Sequence, residues 1–357
     1  MGIEQSFDIK VERDDFSFIY TVIQLLYNLK HHIRINAYLD DSNAPLFSLL
    51  NKIFKENDTN ICLEKNYKLI YKIITEHYEL KIGDNPGKIL IQMLEILNFE
   101  ENGHKLNDVW EKSIVTNQNL FMNSFYLNKS YNDFDNHYKK YNRGIISKLF
   151  HGYFLTRRLL PNFNNNIMHI FNYYSVYELN ISYIYRSLNS NGKSKTQISL
   201  FDCINVSKEK KIENFYNYPC FVCHFIYTLP RFLIFFITRE ENDNNFYGDI
   251  VFEKECDFSS MIYQKNNNKN NKYKLVYIIK QKRFIVKSEE NQNYNNNGDW
   301  YEDDEKKKDM NKNKYKLISL EANGECYSYT NYNFKEKYNP KDNDENYYNN
   351  ILVYERF

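Results

Sequence analysis

Apolar residues recur at intervals of three and four early in this chain. Ile19, Val22, Ile23, Leu26 and Leu29 share one helical face, and Gln24, Asn28 and Lys30 lie off it. That spacing predicts an amphipathic core helix, with Asp14 or Asp15 as its N-terminal cap. A second helix is predicted to open at Asp84. Pro86 falls in its first turn, where a missing N–H costs nothing, and Ile89, Leu90, Met93, Leu94 and Leu97 form its buried stripe. Helical periodicity dominates to about residue 155.

From about residue 175 the period shortens to two. Phe232 to Thr238 is apolar on both alternating faces and rich in aromatics, as a strand inside a covered sheet requires. Residues 273–279 and 284–286 flank Lys280-Gln281-Lys282 and read as a hairpin, and 351–354 reads as a closing strand. The intervening stretches at about 264–272, 289–315 and 331–350 are dominated by Asn, Lys, Asp and Glu and read as loops. The fold class is therefore α+β, with a helical subregion at 1–155 and a β-rich subregion at 156–357. The two form one domain, because their apolar faces have no other cover.

Composition narrows the function classes. At 357 residues and 42% hydrophobic content the chain can build a substantial core. A net charge of +1 gives no long-range field for steering onto nucleic acid or an anionic membrane. The clearest lysine run, Lys306-Lys307-Lys308, is bracketed by Asp303, Asp304, Glu305 and Asp309, so direct RNA contact is not expected even though aromatic strands can stack bases. No apolar run is long enough to span a bilayer, and no membrane partner is expected. The six Cys show no framework spacing, which suits reduced thiols in the cytosol or nucleus. Cys220 and Cys223 are the weak metal candidates. With His224 and Cys203 they could make up a zinc site, but small thiols beside a strand more commonly pack in a core, so neither metal nor cofactor is expected.

Several segments, taken in order, resemble the ubiquitin-specific proteases, which have a papain-like fold with a helical thumb and an antiparallel-sheet palm and fingers. They are Asp15-Phe16-Ser17 running into Thr21-Val22-Ile23-Gln24, Gly83-Asp84-Asn85-Pro86-Gly87, Leu229-Pro230-Arg231-Phe232-Leu233-Ile234-Phe235-Phe236-Ile237, and Ile351-Leu352-Val353-Tyr354-Glu355-Arg356. The resemblance implies that fold, here with Asn/Lys-rich loop insertions. Within the family the inactive spliceosomal branch, the tri-snRNP-associated proteins, is most similar. It is matched by Asp14-Asp15-Phe16, Lys81-Ile82-Gly83-Asp84, Ser199-Leu200-Phe201 and the Leu229 to Arg239 run. In one register Gly298-Asp299-Trp300-Tyr301-Glu302 matches the family's Trp-Tyr segment, which would make 305–350 an insertion.

The same resemblance locates degenerate catalytic positions. The family's nucleophilic cysteine lies seven residues before a Gln, and counting back from Gln24 reaches Ser17. A hydroxyl there needs an adjacent base to take its proton, whereas a thiolate needs only a lowered pKa. The family's oxyanion-binding Asn falls on Asp15, which when ionised can only accept hydrogen bonds and would repel developing negative charge. The histidine box falls either on Gly324-Glu325-Cys326 or on Gln281-Lys282-Arg283-Phe284, so its position reads Glu325 or Lys282. The resemblance thus implies a catalytically inactive scaffold in pre-mRNA splicing, bridging tri-snRNP proteins in the nucleus, with the cytoplasm as the other compartment. The alternatives are a module binding ubiquitin or a ubiquitin-like protein, and a divergent deubiquitinating peptidase using Ser17 or Cys326.

Overall fold

The computed structural model describes residues 17–33, 43–55, 59–81, 85–103, 112–116, 124–160, 166–190, 197–207, 211–215, 218–239, 250–263, 270–282, 315–321, 323, 325–330, 334–338 and 347–357. Helices are α1 (Ser17–Asn28), α2 (Pro45–Lys55), α3 (Thr59–Lys72, continued by a π-helical turn at Ile73–His77), α4 (Pro86–Asn102), α5 (Ser124–Tyr141), α6 (Ile145–Phe150), α7 (Ile181–Ser190) and α8 (Leu200–Ser207). Strands are β1 (Lys112–Thr116), β2 (Gly152–Leu160), β3 (Asn166–Tyr174), β4 (Tyr177–Asn180), β5 (Ile198–Ser199), β6 (Lys211–Phe215), β7 (Tyr218–Thr228), β8 (Phe232–Thr238), β9 (Ile250–Val251), β10 (Glu255–Asp257), β11 (Lys272–Lys282), β12 (Tyr315–Leu320), β13 (Cys326–Thr330), β14 (Phe334–Lys337) and β15 (Tyr347–Arg356).

One sheet runs β14-β13-β12-β11-β15-β8-β4, with β10 joined to β11 and only the β4–β8 pair parallel. A second, antiparallel sheet runs β1-β3-β2-β7-β6, and β5 and β9 form a small parallel pair. The larger sheet separates two cores. Phe232, Ile234 and Phe236 of β8, with Ile351 and Val353 of β15, join the helical core made by α1, α2, α4 and α6. The alternate residues Leu233, Phe235, Ile237, Leu352 and Tyr354 join a second core with α7 and α8. A strand covered on both faces must be apolar at every position, and each fully buried aromatic or aliphatic side chain contributes about 1.5–3 kcal/mol. On the smaller sheet, α5 lays Leu127, Phe134 and Tyr138 over Tyr153, Leu155, Phe171 and Tyr227.

Both expected helices form. Helix α4 is capped by Asn85, whose side chain accepts from Gly87 N at 2.9 Å, with Pro86 following as expected; Asp84 lies outside the described residues. It ends at Gly103, at φ 68°, the left-handed conformation that glycine adopts without a Cβ penalty. Helix α1 is less one-sided than its pattern suggests, because Thr21 and Gln24 are as deeply buried as its apolar stripe.

Several expectations need correction. Lys280, Gln281 and Lys282 are not a turn but the end of β11, paired with Asn349, Tyr348 and Tyr347 of β15. Long lysine stems lie along a sheet while the ammonium reaches water, so charge there does not end a strand. Residues 284–286, the other expected hairpin arm, lie outside the described residues. The stretch 305–350 is not all loop, since it holds β12, β13 and β14 and the first four residues of β15. The polar tracts are accordingly shorter than expected at Lys272, Tyr315, 334–337 and 347–350. Strands also begin before residue 155, at β1 and β2, and α7 and α8 fall in the half expected to be strands. None of the described helices is long and apolar enough to cross a membrane.

Candidate functional site

The residue at the expected nucleophile position, Ser17, opens α1, a helix enclosed by the helical core and packed against β12. A helix N-terminus carries a partial positive charge, so this is the end at which a nucleophile's negative charge would be favoured. Asp15, the expected oxyanion position, lies outside the described residues. Gln24, two turns on, is buried, and its amide N–H donates to Asn28 Oδ1 at 3.4 Å.

The two histidine-box registers separate in space. Glu325 stands just before β13, where its backbone carbonyl accepts from Glu321 N at 2.9 Å. Its carboxylate takes hydrogen bonds from Lys337 Nζ and the Tyr327 hydroxyl, each at 2.8 Å, and from Asn323 Nδ2 at 3.1 Å. The Lys337 bond, then the Tyr327 bond, holds the Glu325 carboxyl down at about 2. Asn28, Leu29 and His32, at the C-terminal end of α1, line a cavity together with Ser319 to Glu321. Ser17 is a helix length away, about 16 Å at 1.5 Å per residue, so Glu325 belongs to the other end of α1. Lys282 lies at the opposite end of β11, next to Gln281, which faces Tyr315 across the ladder; Arg283 and Phe284 lie outside the described residues.

The element that sequence reasoning missed is β12. Its Tyr315 and Leu317 join the same core as α1, whereas Lys316 on the other face is buried with its ammonium 4.4 Å from the Tyr347 ring centroid and 5.1 Å from that of Tyr338. The alternation Tyr-Lys-Leu-Ile-Ser-Leu was its only signal, six residues inside a Lys- and Asn-rich tract. Cys326, on β13, is buried opposite Leu320 and lines a small apolar pocket with Ile318.

Imidazoles are placed elsewhere. No residue from 225 to 357 is histidine, so β8 to β15 carry none. His32 follows α1, with its ring edge on Phe232 and Nε2 3.9 Å from Glu355. His151 stacks on Tyr173, its Nδ1 shares a hydrogen bond with the Tyr138 hydroxyl, and burial drives it down to about 3, so it is neutral. His169 is lowered to about 4 by burial and then by the Arg157 charge, and His224 Nδ1 bonds the Thr156 hydroxyl at 3.0 Å.

The metal candidates do not converge. Cys220 and Cys223 both lie within β7, three residues apart, and side chains alternate along a strand, so the two thiols point to opposite faces. Cys220 packs with Leu160 and Val222, while Cys203 is in α8 within the second core. Among the described residues no group of three His, Cys, Asp or Glu side chains gathers as metal ligands.

No protein-family model matches the sequence, and no curated protein matches it. Solved structures do. The chain superposes on a yeast SAGA DUB module with an Sgf73 mutant at a TM-score of 0.57 and 12% identity, over 96% of this chain and 67% of that one. It is similar to the SAGA Ubp8/Sgf11/Sus1/Sgf73 DUB module with a substituted Ubp8 at 0.57 and 13%, over 97% and 67%. It also matches the same module bound to ubiquitin aldehyde, at 0.51 and 14%, over 97% and 69%. The chain thus spans about two thirds of the length of these neighbours. Its fold is that of the ubiquitin-specific protease domain of Ubp8.

Proposed function

We propose that this chain is a ubiquitin-specific-protease-like domain that binds partners and does not hydrolyse them. The observation that carries this reading is the lack of any histidine after residue 224, the C-terminal stretch that holds both registers of the family's histidine box. A serine at position 17 without an imidazole to accept its proton is a weak nucleophile, and Asp15 adds a carboxylate where an anion-stabilising donor is needed. The degenerate positions among the described residues are then structural: Ser17 in a first turn, Lys282 at a strand end and Glu325 in a surface ion pair.

The finer assignment is a nuclear scaffold that bridges tri-snRNP proteins, as the sequence resemblance suggests. The structural neighbours are subunits of a multiprotein module, which supports a role inside a larger assembly. Affinity purification of the full chain under mild conditions tests the assignment. Recovery of tri-snRNP proteins supports it, whereas recovery of an assembly without them overturns the splicing role.

Binding of ubiquitin is the second reading, favoured by a neighbour solved with ubiquitin aldehyde. Calorimetric titration with ubiquitin decides it: saturable binding is expected, and flat heats at millimolar ubiquitin would remove it.

A further inference from the structure

The larger sheet carries an apolar pocket of about 170 Å³ on the face turned away from α1. Its floor is laid across three strands: Ile278 of β11 stands opposite Ile318 of β12, and Leu320 of β12 opposite Cys326 of β13. Cross-strand partners share a face, so these four side chains border one space, walled by Phe252 and Tyr338. We propose that this pocket binds a compact monocarboxylic acid, with its ring or branched alkyl body inside and its carboxylate at Lys254. The pocket and α1 lie on opposite faces of the sheet, so nothing about it depends on the function proposed above.

The shape of the pocket selects the body of the ligand. An apolar volume of this size offers water few hydrogen bonds and takes a single six-membered ring or branched alkyl group. Its walls are tied to the sheet by the backbone: Tyr338 N donates to Cys326 O and Leu275 N to Lys254 O, each at 2.7 Å. A preformed apolar chamber with a few polar groups at its lining is the usual build of a small-molecule site.

The charges at the lining select the head. Lys254 and Lys280 are its two charged residues, and among the described residues no carboxylate lines the pocket. Lys280 stands opposite Lys316 in the β11–β12 ladder, and the Lys316 ammonium lies 5.1 Å from the Tyr338 ring centroid, so both add positive charge on this face. The seat itself is Lys254, which is exposed and, among the described residues, joins no ion pair. Glu253 and Glu255 flank it in the chain but do not line the pocket. Glu255 lies opposite Lys274, whose side chain lines the cavity on the other face of the sheet. A carboxylate at Lys254 would make a charge-assisted hydrogen bond while its apolar body is held on the floor.

The test is a ligand-observed NMR titration of the full chain with three probes: benzoate, its neutral isostere benzamide, and the peptide acetyl-Glu-Phe-amide. Benzoate is expected to bind about threefold or more tighter than benzamide. Lys254→Gln should weaken benzoate about threefold and leave benzamide unchanged, whereas Leu320→Trp, which fills the pocket, should abolish binding of both. The exposed lysine can be replaced without disturbing the core, so its variant keeps the test decisive if the tryptophan variant does not fold. Equal binding of benzamide, no benzoate binding, or indifference of benzoate to either substitution would overturn the site. Tighter binding of the peptide than of benzoate would overturn the assignment to a free acid and give the pocket to a protein segment.

Discussion

Three consecutive side chains at the end of α4 hold two other helices in place. The Glu100 carboxylate accepts from Leu46 N and Phe47 N at 2.9 and 2.6 Å, capping α2, and from the Tyr78 hydroxyl at 2.5 Å. Glu101 accepts from Ile145 N and Ile146 N at 2.6 and 3.1 Å, capping α6, and Asn102 Oδ1 accepts from Arg143 N and Gly144 N. Truncation leaves two backbone N–H donors and the Tyr78 hydroxyl unpaired, so Glu100→Ala should cost about 2–4 kcal/mol in urea unfolding. Burial raises the Glu100 carboxyl above its ordinary value of 4.5, outweighing the hydrogen bonds that lower it. The folded state therefore holds this proton more tightly, and its contribution to stability declines as pH rises from 4.5 through the folded value. The buried histidines act in the opposite sense. An unfolded histidine titrates near 6.5, but His151 is driven down to about 3 and His169 to about 4. Below pH 6.5 the unfolded chain takes up protons that the folded chain refuses, so stability should fall with acidification, by about 1.4 kcal/mol per pH unit for each histidine. Unfolding free energies at pH 7 and pH 5 check this, and His151→Phe should remove one of the two slopes.

At the scale of elements, α4 approaches β8 so closely that glycine is needed at the contact. A Cβ on Gly87 would lie 2.2 Å from the Phe236 ring, which is itself fixed between β15 and the helical core. Gly87→Ala should therefore destabilise the chain by about 1–3 kcal/mol, measured as a shift in urea midpoint at constant m-value. This contact also shows what the sequence could reveal. α1, α4, β8 and β15 were legible because each buries a long apolar repeat whose period names its geometry. The end of β11 was cut short by three residues because Lys280-Gln281-Lys282 looks like a loop unless the strands on both sides are known. β12 and β14 are six and four residues set in polar tracts, too short for a periodic signal. The candidate site suffered most. A histidine box without histidine is marked only by single residues, and two registers fit it, Lys282 at the end of β11 and Glu325 just before β13. The burial of Gln24 was also invisible, because a polar residue off the apolar face carries no sign of a helix enclosed on every side.

For the molecule as a whole, the two cores on either side of one large sheet make the chain a single packed unit around β8 and β15. That architecture is shared with the ubiquitin-specific protease domain at 12–14% identity, a level at which the fold can be kept while the chemistry is lost. The central claim is that this scaffold does not cleave. It is tested most directly by incubating the full chain with ubiquitin carrying a fluorogenic amide at its C-terminus. Fluorophore release should not exceed that of buffer alone, and Ser17→Ala should change nothing; release above the blank that disappears in Ser17→Ala would contradict the account.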